Sequence, residues 1–107
     1  MKNQLSKLLG KTAWALESPL FFLFLADIRR NQIITGYKGY EYKNNSIDYF
    51  MNAVIDASLA MQNLINSAEE FGLGICPISM VRNYLEEVKK MCNLPEGVFP
   101  IAGLCVG

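Results

Sequence analysis

The stretch from residue 47 to residue 71 constrains the fold more than any other part of the sequence. Apolar or small side chains recur there at intervals of three and four residues, which predicts one long helix. They form two adjoining stripes, one of Ile47, Met51, Val54, Ser58, Met61, Ile65 and Ala68, the other of Phe50, Ala53, Ala57, Ala60, Leu64 and Phe71. A helix that is apolar around most of its circumference is covered on several sides. Because 107 residues can hardly surround it, we expect a second subunit or further sequence to do so.

Both ends of this predicted helix carry recognisable signals. Ser46 precedes the first turn and is a good N-cap residue. Gly72 follows the last turn and suits the left-handed conformation in which many helices end. Within the helix, Ala53, Ala57 and Ala60 would let another helix approach closely. The boundaries are therefore better defined than those of any earlier element.

The segments before this helix are less regular. Residues 5–16 predict a weak helix that a glycine interrupts. Residues 20–28, dense in Phe and Leu, predict a strand buried on both faces, as at the centre of a sheet. The Arg29-Arg30 pair is interpreted as the solvated exit from that strand. Residues 35–46, rich in Gly, Tyr and Asn, predict an exposed loop.

Three elements are predicted after the long helix. A short strand, LGICPI, follows its terminal glycine. A second helix is predicted from residue 84 to about residue 92, and Asn83, with an acidic residue three positions on, has the spacing of a capping box. Residues 98–106 predict a final strand that is apolar on both faces. Because Pro100 cannot donate a ladder hydrogen bond, this strand should lie at a sheet edge or contain a bulge.

Composition excludes several classes of function. The formal net charge is zero, which argues against a nucleic-acid-binding protein held by phosphate contacts. The longest apolar run, Pro19–Ala26, is too short to span a bilayer, and the N-terminus lacks the pattern of a secretory leader. Cys76, Cys92 and Cys105 show neither disulfide nor zinc spacing, and the chain has no histidine. We therefore expect reduced thiols in the cytoplasm, no metal site and no histidine-based catalysis.

Two motifs could bind a ligand on physical grounds, and the first is the tyrosine-rich loop over residues 35–46, whose rings either stack on a ligand ring or face solvent. The Gly72-Leu73-Gly74 triplet is not a dinucleotide fingerprint, because a helix precedes it and a strand follows it, the reverse of that motif. The acidic pairs lie on predicted solvent-facing helix surfaces, so no catalytic side chain is assigned. The turn over residues 76–82 differs, since it joins a strand to a helix through a proline and exposed backbone amides that could meet a ligand ring.

Residues 56–107, DASLAMQNLINSAEEFGLGICPISMVRNYLEEVKKMCNLPEGVFPIAGLCVG, resemble the nitroreductase family, in particular its NADPH-dependent nitroreductases and FMN reductases. SPLFFLFLADIRR, residues 18–30, is similar to the strand that precedes the family's variable loop. The marks of the resemblance, in order, are Asp56-Ala57, Gln62-Asn63, Ala68-Glu69, Gly72-Leu73-Gly74, Val81-Arg82-Asn83, Leu94-Pro95 and the strand from Gly103 to Gly107.

The resemblance implies an α+β fold with a mixed sheet flanked by helices, and a homodimer that buries the long helix between subunits. It implies one FMN at each subunit interface and ping-pong hydride transfer through flavin N5. NADPH or NADH would be the donor, and a nitroaromatic, a quinone or a flavin the acceptor. No nucleic-acid or membrane partner is implied.

The resemblance also carries over to particular residues. Pro77, Ile78, Ser79 and Met80 match the family's turn whose backbone lies along the flavin ring and donates toward its N5 and O4 edge. Arg82 matches an arginine near the nucleotide entrance of the NADPH-dependent branch, where it would meet the 2′-phosphate. Many family members have glycine where this chain has Ser79 or Met80, so the fit against the ring would be tighter here.

Two parts of the family pattern find no match in this sequence. These are the basic His-Arg-Ser-type segment that binds the FMN phosphate, and the Lys/Arg pair with the long arm that embraces the partner subunit. The resemblance therefore implies that residues 1–107 form a partial nitroreductase-like domain, the central fragment of a longer enzyme. The alternative is a truncated, non-catalytic remnant, or a dimerisation or binding module without turnover.

Overall fold

The computed structural model describes residues 2–10, 17–42 and 47–107. Four α-helices and three strands lie in these segments, and a 3₁₀ turn precedes the last helix. In chain order they are α1 (Lys2–Leu9), β1 (Leu20–Asp27), α2 (Arg29–Tyr37), α3 (Ile47–Glu70), β2 (Ile75–Ile78), the 3₁₀ turn (Met80–Tyr84), α4 (Leu85–Met91) and β3 (Val98–Val106). The α+β class is thereby confirmed.

The three strands form one sheet in the order β1-β3-β2, in which both pairings are antiparallel. The last strand of the chain is therefore the central one. The predicted mixed sheet would need a parallel neighbour, and the described strands do not include one. Both faces of β3 are covered, which explains why its sequence is apolar without alternation.

Helices cover the two faces of this sheet unequally. On one face α1 and α4 pack over β1, with Leu5, Leu9 and Val88 buried at the centre. On the other face α3 crosses the sheet, and its buried contacts are with Ala26, Ile101, Leu104 and Val106. None of the described helices combines the length and the apolar character needed to span a bilayer.

The C-terminal end of α3 has the predicted geometry. Gly72 has φ +74°, and its N–H donates to the Glu69 carbonyl at 2.9 Å, while the Leu73 N–H donates to the Ala68 carbonyl at 3.0 Å. This pair of bonds is the Schellman motif, which satisfies carbonyls that the helix leaves unpaired. The predicted N-cap, Ser46, lies outside the described residues.

The residues that the structure describes do not supply the expected covering of α3. Only Ala57 and Ala68 are buried among its 24 residues. Large apolar side chains on the rest of the helix are exposed, namely Ile47, Phe50, Met51, Ile55 and Leu59. Of the three alanines predicted to admit another helix, Ala57 and half-buried Ala53 face the sheet, while Ala60 is exposed. The radius of gyration, 15.7 Å, also exceeds the ~13 Å of a compact domain of this length.

The predicted position of β1 in the sheet needs correction, whereas one of the two alternatives predicted for β3, the bulge, is confirmed. β1 lies at an edge of the described sheet and not at its centre, and Leu20 and Phe22 on it are exposed. β3 is central and not at an edge. The predicted bulge is present, because Phe24 pairs with Ala102 and Leu25 with Pro100, which leaves Ile101 without a partner on β1. A proline is tolerated in a central strand where the ladder is already interrupted.

A helix that was not predicted follows β1, although Arg30 is exposed and Arg29 partly exposed, as the interpretation of a solvated exit required. Arg29 and Arg30 open a helix, α2, and the predicted loop begins inside it. The Asp27 carboxylate accepts the Arg29 backbone N–H at 2.8 Å and so satisfies one of the donors left unpaired at a helix start. No residue of α2 is buried. Its sequence therefore lacked the apolar stripe that reveals a helix packed on a core.

Two further predictions are corrected at helix ends. The predicted helix 5–16 is described as Lys2–Leu9, and residues 11–16 lie outside the described part of the chain. The capping box at Asn83 does not form. Residues 80–84 are a 3₁₀ turn, and α4 begins one residue later than predicted without a side-chain cap hydrogen bond.

Candidate functional site

The turn after β2 owes its geometry to the hydrogen-bond alternation of the sheet. Gly74 and Gly107 exchange both backbone hydrogen bonds, at 2.7 and 2.9 Å. Two residues further along each strand, Cys76 opposes Cys105, and Ile78 opposes Gly103. These are hydrogen-bonded pairs, because such pairs alternate with open ones in an antiparallel ladder. Pro77 lies in a non-hydrogen-bonded pair, where its backbone faces away from β3. Its missing N–H therefore costs the sheet no hydrogen bond and removes a donor from the exposed edge.

The same alternation orients the backbone of Ser79. The Ile78 carbonyl faces β3, because Ile78 and Gly103 form a hydrogen-bonded pair. The described chain contains no cis peptide bond, and a trans peptide directs its N–H opposite to its carbonyl. The Ser79 N–H therefore points away from the sheet. Ser79 is exposed, and its N–H makes no hydrogen bond within the described part of the chain.

The residues that follow fix the turn to the core. Met80 packs against the cluster of Leu5, Leu9 and Val88 and against a second cluster formed by Ile78 and Cys105. Val81 is completely buried, and the Arg82 N–H donates to the Ser79 carbonyl at 3.1 Å, closing the 3₁₀ turn. The turn therefore presents an outward backbone donor on a rigid base, which is the arrangement that ligand-binding loops require.

Arg82 is oriented by the bulge in β3. Its guanidinium Nη1 donates a hydrogen bond to the backbone carbonyl of Ile101, the residue that the bulge leaves without a partner on β1. A guanidinium carries five donors in a planar fork. One contact holds the side chain against β3, and the others stay available to a second acceptor.

Beside Arg82 lies a cavity of about 460 Å³. One wall contains a stacked pair of rings, Phe50 of α3 and Phe99 of β3, with centroids 4.9 Å apart and planes 12° from parallel. The other lining residues are Val54, Ser58, Met61, Leu85, Pro100, Ile101 and Ala102. A mostly apolar cavity with one cation suits a ligand that is partly aromatic and partly anionic.

The structure brings only some of the predicted site residues together. Pro77, Ile78, Ser79 and Met80 form one continuous turn, but none of them lines the 460 Å³ cavity, whereas Arg82 does. Ile78 is buried beneath the turn, so its side chain is part of the core. The Arg82 contact with Ile101 and the Phe50–Phe99 stack were not predicted. Pro100 within a buried strand was the one sequence signal of the bulge.

The comparisons with known proteins agree on one family. The profile of the nitroreductase family matches residues 2–107. The FMN reductase (NADPH) of Bacillus subtilis strain 168 is 39% identical over 108 residues, with 99% of this chain and 43% of the relative covered. The CR(VI) reductase of Pseudomonas sp. strain G-1 is 38% identical, with 99% and 44% covered. The solved structure of NfrA1 from B. megaterium superimposes with a TM-score of 0.90 at 40% identity, with 99% and 44% covered.

The fold and the matches lead to the same classification. The α+β architecture of this chain, a three-stranded antiparallel sheet with helices on both faces, superimposes on that solved structure over 99% of this chain. The chain belongs to the nitroreductase family. It spans less than half the length of the relatives it matches.

Proposed function

We propose that this chain supplies part of an FMN-dependent NAD(P)H oxidoreductase of the nitroreductase and flavin reductase type. Two relatives support the cofactor and the donor, since they are named FMN reductase (NADPH) and FMN reductase [NAD(P)H]. When bound, FMN would supply hydride chemistry, with flavin N5 taking a hydride from the nucleotide and releasing electrons to an acceptor in a ping-pong cycle. Residues 1–107 would contribute one part of the domain, in the cytoplasm.

The outward N–H of Ser79 carries this proposal. A flavin ring exposes acceptor atoms along its N5 and O4 edge, and a backbone donor with no partner in the described chain matches them. Pro77 and Met80 flank that donor, and buried Ile78 fixes its position from beneath. In this arrangement the chain binds and orients the ring through its backbone, so Ser79 and Met80 can replace glycine without removing the hydrogen bond.

The described residues provide less for the phosphate of FMN. The cations nearest to the turn along the chain are Arg82, Lys89 and Lys90. Arg82 already donates to the Ile101 carbonyl, and Lys89 lies 3.6 Å from Glu86. Since Arg82 and Lys89 already have partners, the cations that follow the turn offer the phosphate little, and we expect these 107 residues to bind FMN weakly.

Arg82 is proposed as the nucleotide-binding residue. Its guanidinium has donors beyond the one used on Ile101, and it lies beside the apolar cavity. A 2′-phosphate would be a suitable acceptor for those donors. The acceptor substrate, whether nitroaromatic, quinone or flavin, would occupy the same space after the nucleotide has left.

We further propose a homodimer with α3 at its interface. The exposed apolar side chains of α3 include Ile55 and Leu59, which are 49% and 67% exposed. Contiguous apolar surface of this kind marks an association site in a folded protein. A second copy of α3 would cover it and would bring two turns into one assembly.

The role of Ser79 is tested by removing only its backbone donor. Ser79→Pro deletes the N–H, and φ at this position is −89°, close to the value that proline requires. Titration of FMN, followed by flavin fluorescence, should show binding weakened about five- to tenfold, the equivalent of one neutral hydrogen bond. Ser79→Ala keeps the N–H and should bind FMN as the unaltered chain does.

Two results would contradict the assignment. Equal affinities for the proline and alanine variants would show that the N–H does not meet the ring. Absence of saturable binding in the unaltered chain at millimolar FMN would remove the turn as a flavin site in these residues. Circular dichroism of each variant confirms that the helices are retained.

A further inference from the structure

Two cysteines that are far apart in sequence face each other across the sheet. Cys76 on β2 and Cys105 on β3 are direct partners in the antiparallel register. Direct partners place their side chains on the same face, and both cysteines contact the same apolar cluster, which includes Ile78 and Phe21. Neither is joined in a disulfide. This pair lies outside the residues proposed to contact the flavin, Pro77 to Met80, and outside the cavity beside Arg82.

The register sets the separation of the two thiols. Partners in a hydrogen-bonded antiparallel pair have Cα atoms about 5.5 Å apart, inside the range of roughly 4.4–6.8 Å that a disulfide spans. Their Cβ atoms lie nearer ~5 Å, whereas a relaxed disulfide needs about 3.8 Å. A bond between them would therefore draw β2 toward β3 by roughly 1 Å. A disulfide formed under such strain is easily reduced again.

The setting of β2 allows that movement. The strand has four residues, and within the described sheet it is paired with β3 alone. Pro77 follows Cys76 directly and donates no bond that the movement would break. By contrast, Cys105 lies in the central strand, which is held from both sides. The shift would thus fall on β2 and on the turn that follows it.

The two thiols differ in accessibility. Cys76 is partly exposed, and Cys105 is 4% exposed. Both line a cavity of about 290 Å³ together with Ser18, Pro19 and Gly74. Because a water molecule occupies about 30 Å³ in the liquid, this cavity has room for a molecule as small as hydrogen peroxide. A peroxide would meet Cys76 first and would leave Cys105 as the second thiol.

We propose that Cys76 and Cys105 form a reversible dithiol–disulfide site that hydrogen peroxide oxidises. The Cys76 thiolate attacks one peroxide oxygen, the O–O bond breaks, and Cys76 becomes a sulfenic acid as hydroxide leaves and takes up a proton. The Cys105 sulfur then attacks the Cys76 sulfur, so that the S–S bond forms, the S–O bond breaks and water leaves with the second proton. In sum, two thiols lose two electrons and two protons, and peroxide becomes two waters.

The site is tested by mapping the bond in the unaltered chain. After hydrogen peroxide treatment and its removal by catalase, the remaining thiols are blocked with N-ethylmaleimide under denaturing conditions. Of the three cysteines, only Cys92 should be labelled, and dithiothreitol treatment before blocking should restore label on all three. Cleavage after Glu70, Lys90 and Glu96 separates the cysteines into different peptides, so mass spectrometry identifies the joined pair directly.

Matched variants separate this pair from other oxidation. Cys92→Ser removes the third thiol, on the C-terminal turn of α4, and should leave formation of the disulfide unchanged. Cys76→Ser should abolish it and leave Cys105 labelled by the maleimide. Because Cys105 is buried, Cys105→Ala is compared with the unaltered chain by circular dichroism before its oxidation is measured.

Three outcomes would overturn the proposal. One is retention of all three thiols at peroxide concentrations that oxidise a model dithiol. Another is a bond that involves Cys92 or that links two chains. The third is a stable gain of oxygen on Cys76 while Cys105 remains a thiol. The proposal does not depend on FMN binding, since every measurement is made on the chain without cofactor.

Discussion

β3 and α3 are both rich in apolar residues, but β3 is buried and α3 is largely exposed. The sequence of each element places apolar side chains around most of its surface. Seven of the nine residues of β3 are buried, whereas two of the 24 residues of α3 are. β3 has a strand on each side and helices over both faces. α3 has the sheet on one side, and the described chain leaves its other side uncovered.

The difference shows that an apolar sequence can reflect burial within this chain, as in β3, or a surface that the described residues leave exposed, as on α3. In β3 the apolar side chains stabilise the fold of this chain by themselves, since burial of each large one contributes roughly 1.5–3 kcal/mol. On the outer side of α3 they contribute little to the fold of the described residues and would gain the same free energy only when a second subunit or further sequence covers them. Substitutions in the two elements should therefore affect different measurements.

The largest effect is expected at the centre of β3. Leu104 is completely buried, and Leu104→Ala should lower the free energy of unfolding by about 2–5 kcal/mol, because it removes apolar contacts and leaves a cavity. Leu59→Ala on α3 removes the same atoms from a side chain that is 67% exposed. It should change that free energy by no more than about 0.5 kcal/mol.

Urea denaturation at low and equal protein concentration measures both variants, so that association does not contribute. Similar losses for the two leucines would show that the outer side of α3 is already covered within the chain. A small loss for Leu104→Ala would contradict the central position of β3.

The second prediction concerns the one irregularity in β3. Arg82→Ala removes the charged donor from the Ile101 carbonyl and should cost about 1.5–3 kcal/mol of unfolding free energy. Arg82→Lys keeps the charge but not the planar set of guanidinium donors, and we expect an intermediate loss of unfolding free energy. Urea denaturation at pH 7 measures both.

The nucleotide role proposed for Arg82 requires a second measurement. In an active enzyme that contains this chain, Arg82→Ala should raise KM for NADPH about ten- to a hundredfold more than KM for NADH, from the loss of a charge-assisted contact. A loss of stability with equal changes in both KM values would leave Arg82 as a residue that only holds the bulge.

The third prediction tests association through α3. Leu59→Lys places a charge on the exposed apolar side of the helix, and we expect the dissociation constant of the homodimer to rise about ten- to a hundredfold, because burial of one large side chain is lost. Sedimentation equilibrium over a range of concentrations measures the constant.

Gln32→Lys adds the same charge to an exposed position on α2 and serves as the control. Equal dissociation constants for this variant, for Leu59→Lys and for the unaltered chain would place the interface elsewhere. A monomer at every concentration of the unaltered chain would remove the homodimer proposal.

The comparison also explains what the sequence could predict. The long helix, its glycine end and the strand 98–106 were predicted closely, because apolar periodicity and a terminal glycine are local signals. The order of the strands was not, since an apolar run indicates burial and not which neighbours provide it. α2 was missed because its apolar residues, Ile33 and Ile34, are exposed, and its start depends on one carboxylate.

The candidate site likewise has features that the sequence could predict and features that it could not. The turn over residues 76–82 stood out in the sequence because proline, small residues and a strand-to-helix junction coincide there. The outward direction of the Ser79 N–H depends on the register between Gly74 and Gly107, and the pairing of Cys76 with Cys105 depends on the same register. Contacts between strands that lie far apart in sequence leave no mark in local spacing.

The smallest effect is expected at the start of α2, a helix without buried residues. The Asp27 carboxylate accepts hydrogen bonds from the Arg29 guanidinium and backbone N–H, and these hold the pKa of Asp27 below its ordinary value. A carboxylate with a lowered folded-state pKa stabilises the fold at pH values above its unfolded pKa, and this contribution is lost as the pH falls through the folded pKa. Asp27→Asn should therefore lower Tm slightly at pH 7, and the difference from the unaltered chain should shrink as the pH is lowered through the folded-state pKa of Asp27. Glu96→Gln, at an exposed position without an ion pair in the described part of the chain, is the control. A Tm difference for Asp27→Asn that stays constant from pH 7 to pH 2 would mean that packing, and not the charge on Asp27, holds the start of α2.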